Sequence, residues 1–531
     1  MSNQHELLVP QWHHVTKQEC HSNIQTSSAS ATVDEKKQNL TISNEFRFEI
    51  ADSACAQPVN QPGRFDAEVA SCVVHGAIPP SIDGTFYRIV VDYVFQNRNC
   101  KDIWINGDGA VNAWRISNGV VDFRQRFVRT PRFLHEGAAR QPLWGTYRDS
   151  FAGDPRVFEE RWRRKLLVLK EDSPPILMDP DTLDTIGVYN FEGQLKAKTF
   201  AAHPKTDVST GDMLAFDMEA SRLGSNDLDY YRFDKESKVL DECWIKTPIV
   251  TWTHDMAATD NYVIFGMSPL EFDLKHMKED NGTHFRRNPF LANHFVVFPR
   301  RNPKPQDAKW STSLKNHYWG HVCNHFEDAA GLIYIDVYLH DVDALRVFPT
   351  KHPELEATAQ RPAPVEKFVR FKIDPNSESS ELELPAIISD TPGEMARCDD
   401  RYTTKPYNHC SWVWNAGPSK SVGEPCFIPT AEVALEGDGY LVVSCRDHET
   451  TLCSLVVLDT RDITAGLVSV IQLPFRIREG VHGNWVPAYE FATRKPLVDY
   501  AGGTPEILEK FGTGAPVPFD DLNARPVKRR P

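Results

Sequence analysis

The chain has 531 residues, of which 41% are hydrophobic and 25% are charged, a composition typical of a globular protein with a substantial core. Its 73 acidic and 59 basic residues leave a net charge of −14, without the basic excess that nucleic-acid-binding proteins use. No apolar run reaches the roughly 18 residues that predict a membrane-spanning helix, although peripheral membrane contact stays open.

The cysteines and the N-terminus bear on localisation. The eleven cysteines are scattered from Cys20 to Cys453, include no CxxC pair and are odd in number. This usage suits a reducing compartment better than a disulfide framework. The N-terminus lacks the basic start and apolar stretch of a secretory signal. We therefore expect a cytoplasmic protein.

In chain order, the sequence predicts one large all-β domain between two irregular ends. Residues 1–45 are polar and lack apolar periodicity, which predicts a disordered segment. Residues 46–490 contain many short pieces rich in Val, Ile, Phe and Tyr, such as "NYVIFGMSP" and "LIYIDVYLH", separated by turn sequences. Residues 491–531 are rich in Pro and Gly and predict a tail that wraps the body or frays. A sandwich pair, a large barrel and a propeller all fit this pattern.

Four histidines occupy similar settings beside strand-like sequence. They are His203 in "TFAAHPKTD", His254 in "TWTHDMAAT", His321 in "WGHVCNHFED" and His482 in "EGVHGNWVP". The gaps of 51, 67 and 161 residues are close to one propeller blade or a small multiple of it. Strands that point into a common axis would bring four imidazoles together, and imidazole suits Zn, Cu, Fe or Ni. The alternative is four unrelated surface or packing histidines.

These four motifs, together with "GTFYRI", "INGDGAVNAWRI" and "LKEDSPP", resemble the carotenoid cleavage oxygenases. The resemblance covers roughly residues 46–487 and is strongest to the branch that cleaves stilbenes. It implies a seven-bladed β-propeller capped by loops and short helices, with a non-haem Fe(II) on its axis. The iron ligands carry over onto His203, His254, His321 and His482. Nearby His325 matches no ligand position.

The resemblance also assigns three glutamates that accept hydrogen bonds from the ligand imidazoles. They match Glu171 in "LKEDSPP", Glu394 in "PGEMARCDDR" and Glu424 in "VGEPCFIP". By resemblance they serve His254, His321 and His482 respectively, and His203 has no acidic partner. Such contacts fix the orientation of a ligand ring and raise its basicity. Taken without the family, each glutamate reads as an exposed turn charge.

The substrate end is implied in the same way. Stilbene-cleaving members hold the 4-hydroxyl group between a tyrosine and a lysine, at positions that match Tyr147 and Lys170. The implied reaction cleaves the central C=C bond of a hydroxylated stilbene such as resveratrol or piceatannol with O₂ and gives two aldehydes. The partners are therefore a small hydrophobic or phenolic molecule and O₂. The alternatives are cleavage of a carotenoid or apocarotenoid, and an impaired propeller that retains only its metal site. For Lys170 alone, the alternative is a solvated strand residue.

The sequence departs from the family in three places. "FYR" is followed by "IVVDYVF" where the family has a Pro-rich turn, and the segments 147–170 and 401–424 are shorter than in relatives. The second shortening is large enough to remove at least one strand, so we expect an incomplete blade.

Overall fold

A computed structural model of the chain describes residues 62–95, 107–143, 166–279, 283–341, 348–356, 366–408, 414–478, 480–491 and 495–498. The predicted disordered segment 1–45 and most of the tail 491–531 lie outside the described residues. At the start of the tail, Leu497 is buried against the core and the Lys495 carbonyl accepts a hydrogen bond from Arg115.

Six antiparallel sheets of three to five strands make up the described domain. In spatial order, the first sheet contains β1 (Ala67–Val69), β5 (Val120–Phe127), β4 (Asp108–Ser117), β3 (Gly84–Asp92) and β27 (Gly480–Pro487). The second contains β6 (Leu166–Lys170), β7 (Ser173–Met178) and β8 (Thr185–Val188). The third contains β9 (Lys205–Thr206), β10 (Met213–Met218), β11 (Asp227–Phe233) and β12 (Val239–Lys246).

The other three sheets follow along the chain. The fourth contains β13 (Met256–Ala258), β14 (Tyr262–Met267), β17 (Ala292–Pro299) and β18 (Lys309–Lys315), and a separate hairpin pairs β15 (Leu270–Phe272) with β16 (Phe285–Arg287). The fifth contains β19 (His317–Glu327), β20 (Ile333–Asp341), β21 (Glu366–Ile373) and β22 (Ala386–Ser389). The sixth contains β23 (Lys420–Pro429), β24 (Gly439–Asp447), β25 (Cys453–Asp459), β26 (Leu467–Gln472) and β2 (Val73–Gly76).

The described helices are short. They are α1 (Pro131–Ala139), α2 (Leu274–Glu279) and α3 (Pro353–Glu356). Single 3-10 turns occur at Pro305–Asp307, Asp400–Tyr402, Ile463–Ala465 and Ala488–Glu490. Among these described helices, none has the length and apolar character needed to span a bilayer. All seven cysteines of the described ranges are free thiols.

The sheets are joined into a propeller by strands from both ends of the chain. β27 pairs with β3 from Gly480↔Val90 to Pro487↔Gly84, and β2 pairs with β26. The N-terminal and C-terminal parts of the domain thus share two sheets. Closure of this kind ties the first and last parts of the domain together, and a propeller leaves only short, protected sheet edges.

One edge strand of each sheet faces the centre of the propeller. These six inner strands are β27, β6, β9, β13, β19 and β23. β23 contacts β27, and β13 contacts both β9 and β19, so inner strands of neighbouring sheets meet directly. Residues on or beside them are therefore brought together although they lie far apart in sequence.

Buried apolar clusters fill five of the junctions between neighbouring sheets. Trp114 of the first sheet packs in one cluster with Val442 of the sixth, and Phe216 of the third packs with Phe265 of the fourth. Clusters of the same kind join the first sheet to the second, the second to the third, and the fourth to the fifth. β-Branched and aromatic side chains suit these strands because both faces of each sheet are covered.

The expectation of seven blades is wrong for the described residues, which form six sheets. Between β22 and β23 the described chain, residues 390–408 and 414–419, contains a 3-10 turn at Asp400–Tyr402 and an isolated bridge from Thr404 to Phe326 of β19. The Asn324 amide donates to the carbonyls of Tyr402 and Lys405, and Arg401 donates to carbonyls of residues 431–435. Polar contacts of this segment therefore join the two sheets. The second sheet has only three described strands, as an incomplete blade would.

Candidate metal centre

Four histidines converge where the inner strands meet. His203 and His254 lie just before β9 and β13, whereas His321 and His482 lie within β19 and β27. The Nε2 atoms are 3.1 Å apart for His203 and His254, 3.0 Å for His254 and His321, and 3.2 Å for His321 and His482. All four ligand atoms lie within 4.8 Å of one another. The four side chains are partly buried and could hold one metal ion.

Strand irregularities aim two of these rings at the centre. The pairing of β19 with β20 shifts register between Trp319 and Val322, around His321. The pairing of β27 with β3 shifts between Gly480 and Gly483, around His482. A bulge bends a strand and turns a side chain away from its regular face. The local backbone thus departs from ideal pairing at the two ligand positions that lie inside strands.

The spacing of the nitrogens fits a shared ion. Imidazole nitrogens bind transition metals at about 2.1 Å, so two nitrogens at right angles lie about 3.0 Å apart, and at a tetrahedral angle about 3.4 Å apart. The three Nε2 separations of 3.0–3.2 Å lie between these two values. Four converging lone pairs would repel one another without a cation between them, so the donor set itself suits a metal.

Three carboxylates contact the outer nitrogens of three imidazoles. Glu171 contacts His254 Nδ1, Glu394 Oε2 lies 3.0 Å from His321 Nδ1, and Glu424 Oε1 lies 3.3 Å from His482 Nδ1. Each pair matches the one that the resemblance implies. A carboxylate on Nδ1 keeps the proton there and leaves Nε2 free to bind a metal. For His203, no carboxylate partner occurs among the described residues.

These carboxylates are themselves held by neighbours that the sequence did not indicate. The Trp252 indole donates to Glu171 Oε2 at 2.8 Å, and the Gly483 N–H donates to Glu424 Oε2 at 3.0 Å. His340 Nε2 lies 3.5 Å from Glu394 Oε1. Burial alone would raise the pKa of Glu394 and of Glu424. His321 and His340 instead hold the pKa of Glu394 well below its ordinary value. His482 and Arg397 lower the pKa of Glu424 to about 2.

The electrostatics of the rings differ. Burial, with the other three imidazoles, lowers the pKa of His203 well below its ordinary value, and burial lowers that of His482. For His321 the effect of burial is outweighed by Glu394, so its pKa is raised. The neutral ring that binds metals is therefore favoured at His203 and His482. His325 lies elsewhere: its buried ring accepts from the Ala258 N–H at 3.2 Å, and burial lowers its pKa to about 3.

Of the two residues expected at the substrate end, the structure describes only Lys170. Tyr147 lies outside the described residues. Lys170 ends β6 and immediately precedes Glu171. Its side chain is 71% exposed, and its ammonium lies 3.0 Å from Asp172 Oδ2. The described residues therefore place Lys170 next to the metal-centre carboxylate without enclosing it.

The fold and the site together define a metal-binding β-propeller. The family model described as Retinal pigment epithelial membrane protein (RPE65) matches residues 60–413 and 410–487. Resveratrol cleavage oxygenase 1 of Aspergillus fumigatus is 34% identical over 500 residues, which cover 85% of this chain and 99% of that protein. Carotenoid cleavage oxygenase 1 of Neurospora crassa is 36% identical over 477 residues, which cover 80% of this chain and 89% of that protein.

A solved structure agrees with these matches. The crystal structure of the lignostilbene dioxygenase of Pseudomonas brassicacearum superposes with a TM-score of 0.74 at 34% identity, and covers 81% of this chain and 97% of that one. The chain belongs to the carotenoid oxygenase family. It is a dioxygenase of that family, an oxidoreductase that incorporates O₂ into its substrate.

Proposed function

We propose that this dioxygenase uses Fe(II), held by His203, His254, His321 and His482, to cleave the central C=C bond of a hydroxylated stilbene into two aldehydes. The observation that carries the metal centre is the convergence of four imidazole nitrogens within 4.8 Å of one another. Imidazole binds Zn, Cu, Fe and Ni, and Fe(II) is chosen among them because the resemblance to the carotenoid cleavage oxygenases implies it. Four neutral imidazoles leave the full charge of the ion in place.

The residues around the centre have distinct roles in this proposal. The bound ferrous ion would supply the binding and activation of O₂. Glu171, Glu394 and Glu424 accept hydrogen bonds from the Nδ1–H groups and so orient three rings. Trp252 donates to Glu171 and packs its ring 4.6 Å from that of His254, which limits rotation of both side chains.

Lys170 is proposed to bind the phenol, with Tyr147 as its partner. Its backbone directly precedes Glu171, whose carboxylate contacts His254, so Lys170 lies within one residue of the metal centre's support. An ammonium close to a phenol lowers the phenol pKa and favours the phenolate. Electron density from the phenolate passes through the conjugated system to the central double bond, which makes that bond more reactive towards oxygen. The exposed ion pair with Asp172 is weak enough to exchange for a phenolate.

Cleavage of a carotenoid or apocarotenoid is the second candidate. It is favoured by the name of the Neurospora crassa relative, and by the exposure of Lys170, because an apolar polyene needs no phenol-binding cation. An impaired propeller with only a metal site is the third candidate. It is favoured by the six sheets of the described domain, one fewer than the seven blades expected from the family. Cytoplasmic localisation stays a prediction.

The test loads the protein with Fe(II) without oxygen and then adds air with resveratrol, piceatannol or a carotenoid. We expect two aldehydes from the stilbenes, each carrying one atom of labelled O₂, and none from the carotenoid. Aldehydes from the carotenoid alone would reject stilbene cleavage and support carotenoid cleavage. No aldehyde from any substrate would leave the third.

Variants at Lys170 test the phenol site. We expect Lys170→Ala to lose stilbene cleavage at least about tenfold while Lys170→Arg keeps part of it, because a cation remains. Lys246→Ala is the matched control, since Lys246 is 68% exposed and pairs with Asp227 on the third sheet. Parent-like turnover of resveratrol by Lys170→Ala would end the phenol-binding role.

A further inference from the structure

A buried ion pair joins the segments that carry three of the four histidines. Lys205 follows His203 by two residues, and Asp255 directly follows His254. Lys205 Nζ lies 2.6 Å from Asp255 Oδ1. The other carboxylate oxygen, Asp255 Oδ2, accepts a hydrogen bond of 2.8 Å from the N–H of Val322, which directly follows His321.

The pair thus crosses the inner edges of three consecutive sheets. Lys205 lies in β9 of the third sheet, Asp255 precedes β13 of the fourth, and Val322 lies in β19 of the fifth. Neighbouring Cα atoms are 3.8 Å apart, so each contact lies within about two residues, or about 7 Å of chain, from a histidine of the metal centre. A shift of any one segment would break a contact to another.

The burial of the pair makes these contacts hard to exchange for water. The side chain of Asp255 is 2% exposed and that of Lys205 is 15% exposed. The Met256 N–H also donates to Asp255 Oδ1, at 2.7 Å. Both oxygens of the carboxylate are therefore occupied, and rotation of the carboxylate would leave a buried charge without its partners.

His482, the fourth histidine, is held separately. Its Nδ1 faces Glu424, and its strand is fixed by Arg88, which donates to the Gly480 carbonyl at 2.6 Å. The segments of three histidines therefore share one ion pair, whereas the segment of the fourth is held by Arg88.

We propose that Lys205 and Asp255 are positioning residues that hold His203, His254 and His321 in register and thereby set the affinity of the centre for its metal. Neither side chain belongs to the four-histidine cluster. The inference rests on the metal centre of the proposed function and is independent of its substrate.

The test measures the dissociation constant for Fe(II) by chelator competition without oxygen, with Co(II) as a spectroscopic probe. We expect Lys205→Met and Asp255→Asn each to weaken Fe(II) binding about 10- to 100-fold, the range found when partners of ligand residues are removed. Lys205→Arg should retain most of the parent's affinity for Fe(II), because it keeps the positive charge. Broader Co(II) absorption bands in Lys205→Met should report the loss of ligand order.

The control separates positioning from general destabilisation. Arg115 lies in β4 of the first sheet, and Asp181 lies between β7 and β8 of the second. They form a comparable buried pair, 2.9 Å apart, with side chains 4% and 14% exposed. Arg115→Met should lower the thermal midpoint of the metal-free protein as much as Lys205→Met does, yet change the Fe(II) dissociation constant less than about threefold.

A double variant keeps the inference falsifiable if a single variant does not fold. Lys205→Met with Asp255→Asn removes both charges, so no unpaired charge stays buried. The inference is supported if this variant folds and binds Fe(II) at least tenfold more weakly than the parent, even where no stilbene is cleaved. Parent-like Fe(II) affinity in the double variant would overturn it. Absence of Fe(II) and Co(II) binding by the parent would overturn it together with the proposed metal centre.

Discussion

Two aspartates face each other inside the third sheet and should make the stability of the protein depend on pH. Asp217 of β10 is directly opposite Asp229 of β11, and both are fully buried. Within the described residues, neither carboxylate oxygen of Asp217 has a hydrogen-bond partner. Burial raises the pKa of Asp229 to about 8, and burial together with Asp229 raises that of Asp217 well above its ordinary value.

The sign and size follow from proton linkage. The unfolded chain ionises these carboxyls near pH 4, whereas the folded protein keeps them protonated up to about pH 8 for Asp229. The folded state therefore binds more protons across this interval, and stability falls as the pH rises from 4 to 8. Each carboxyl contributes about 1.4 kcal/mol per pH unit, so between pH 5 and pH 8 one carboxyl costs up to about 4 kcal/mol.

Asp217→Asn tests this reasoning. The amide has the shape of the protonated acid but cannot ionise in the unfolded chain, so the stability of the variant should rise relative to that of the parent as the pH rises from 5 to 8. Urea unfolding of the metal-free protein at both pH values measures the difference. Asp390→Asn, at a side chain that is 80% exposed, is the control and should follow the parent. Parallel loss of stability in Asp217→Asn and the parent would refute the argument.

Four further predictions concern the metal centre and two glycines. Glu424→Gln should weaken Fe(II) binding about 10- to 100-fold in chelator competition, and unchanged affinity would contradict the role of the carboxylate. Gly480→Ala should lower the thermal midpoint by the equivalent of about 1–3 kcal/mol, because a Cβ there would overlap Arg88. Gly137→Ala, in α1 with open space around the new methyl group, should raise stability by about 0.5–1 kcal/mol. Fe(II) at a hundredfold excess over its dissociation constant should stabilise the parent by about 2.7 kcal/mol and His482→Ala much less, which thermal scans without oxygen measure.

Much of the candidate site could be predicted because the short motifs around its residues resemble those of a known family. Each of the four histidines lies in or just before an inner strand, and the motif around it marks that position. The glutamates were harder, since a lone glutamate in a turn carries no signal of its own. Glu394 shows this: its motif departs from the family, yet its carboxylate lies 3.0 Å from His321 Nδ1.

The substrate end and the Lys205–Asp255 ion pair were less predictable from the sequence. Lys170 was identified by its motif, but its 71% exposure depends on what covers the end of β6, which no local pattern encodes. Lys205 and Asp255 stand beside two of the predicted ligands in "AHPKTD" and "THDMAAT". Nothing in either motif indicates that these charges pair with each other, because 50 residues and a complete sheet separate them.

By itself, the sequence indicated the all-β class through local strand propensity, and its resemblance to the carotenoid cleavage oxygenases singled out the four imidazoles. The tertiary structure alone decided the number of sheets, the polar segment between the fifth and sixth sheets, and the ion pair that joins three ligand segments. These features depend on closure of the propeller, which brings distant inner strands together and removes water from between them. The free energy of a buried charge is set by that final environment, and no stretch of sequence contains it.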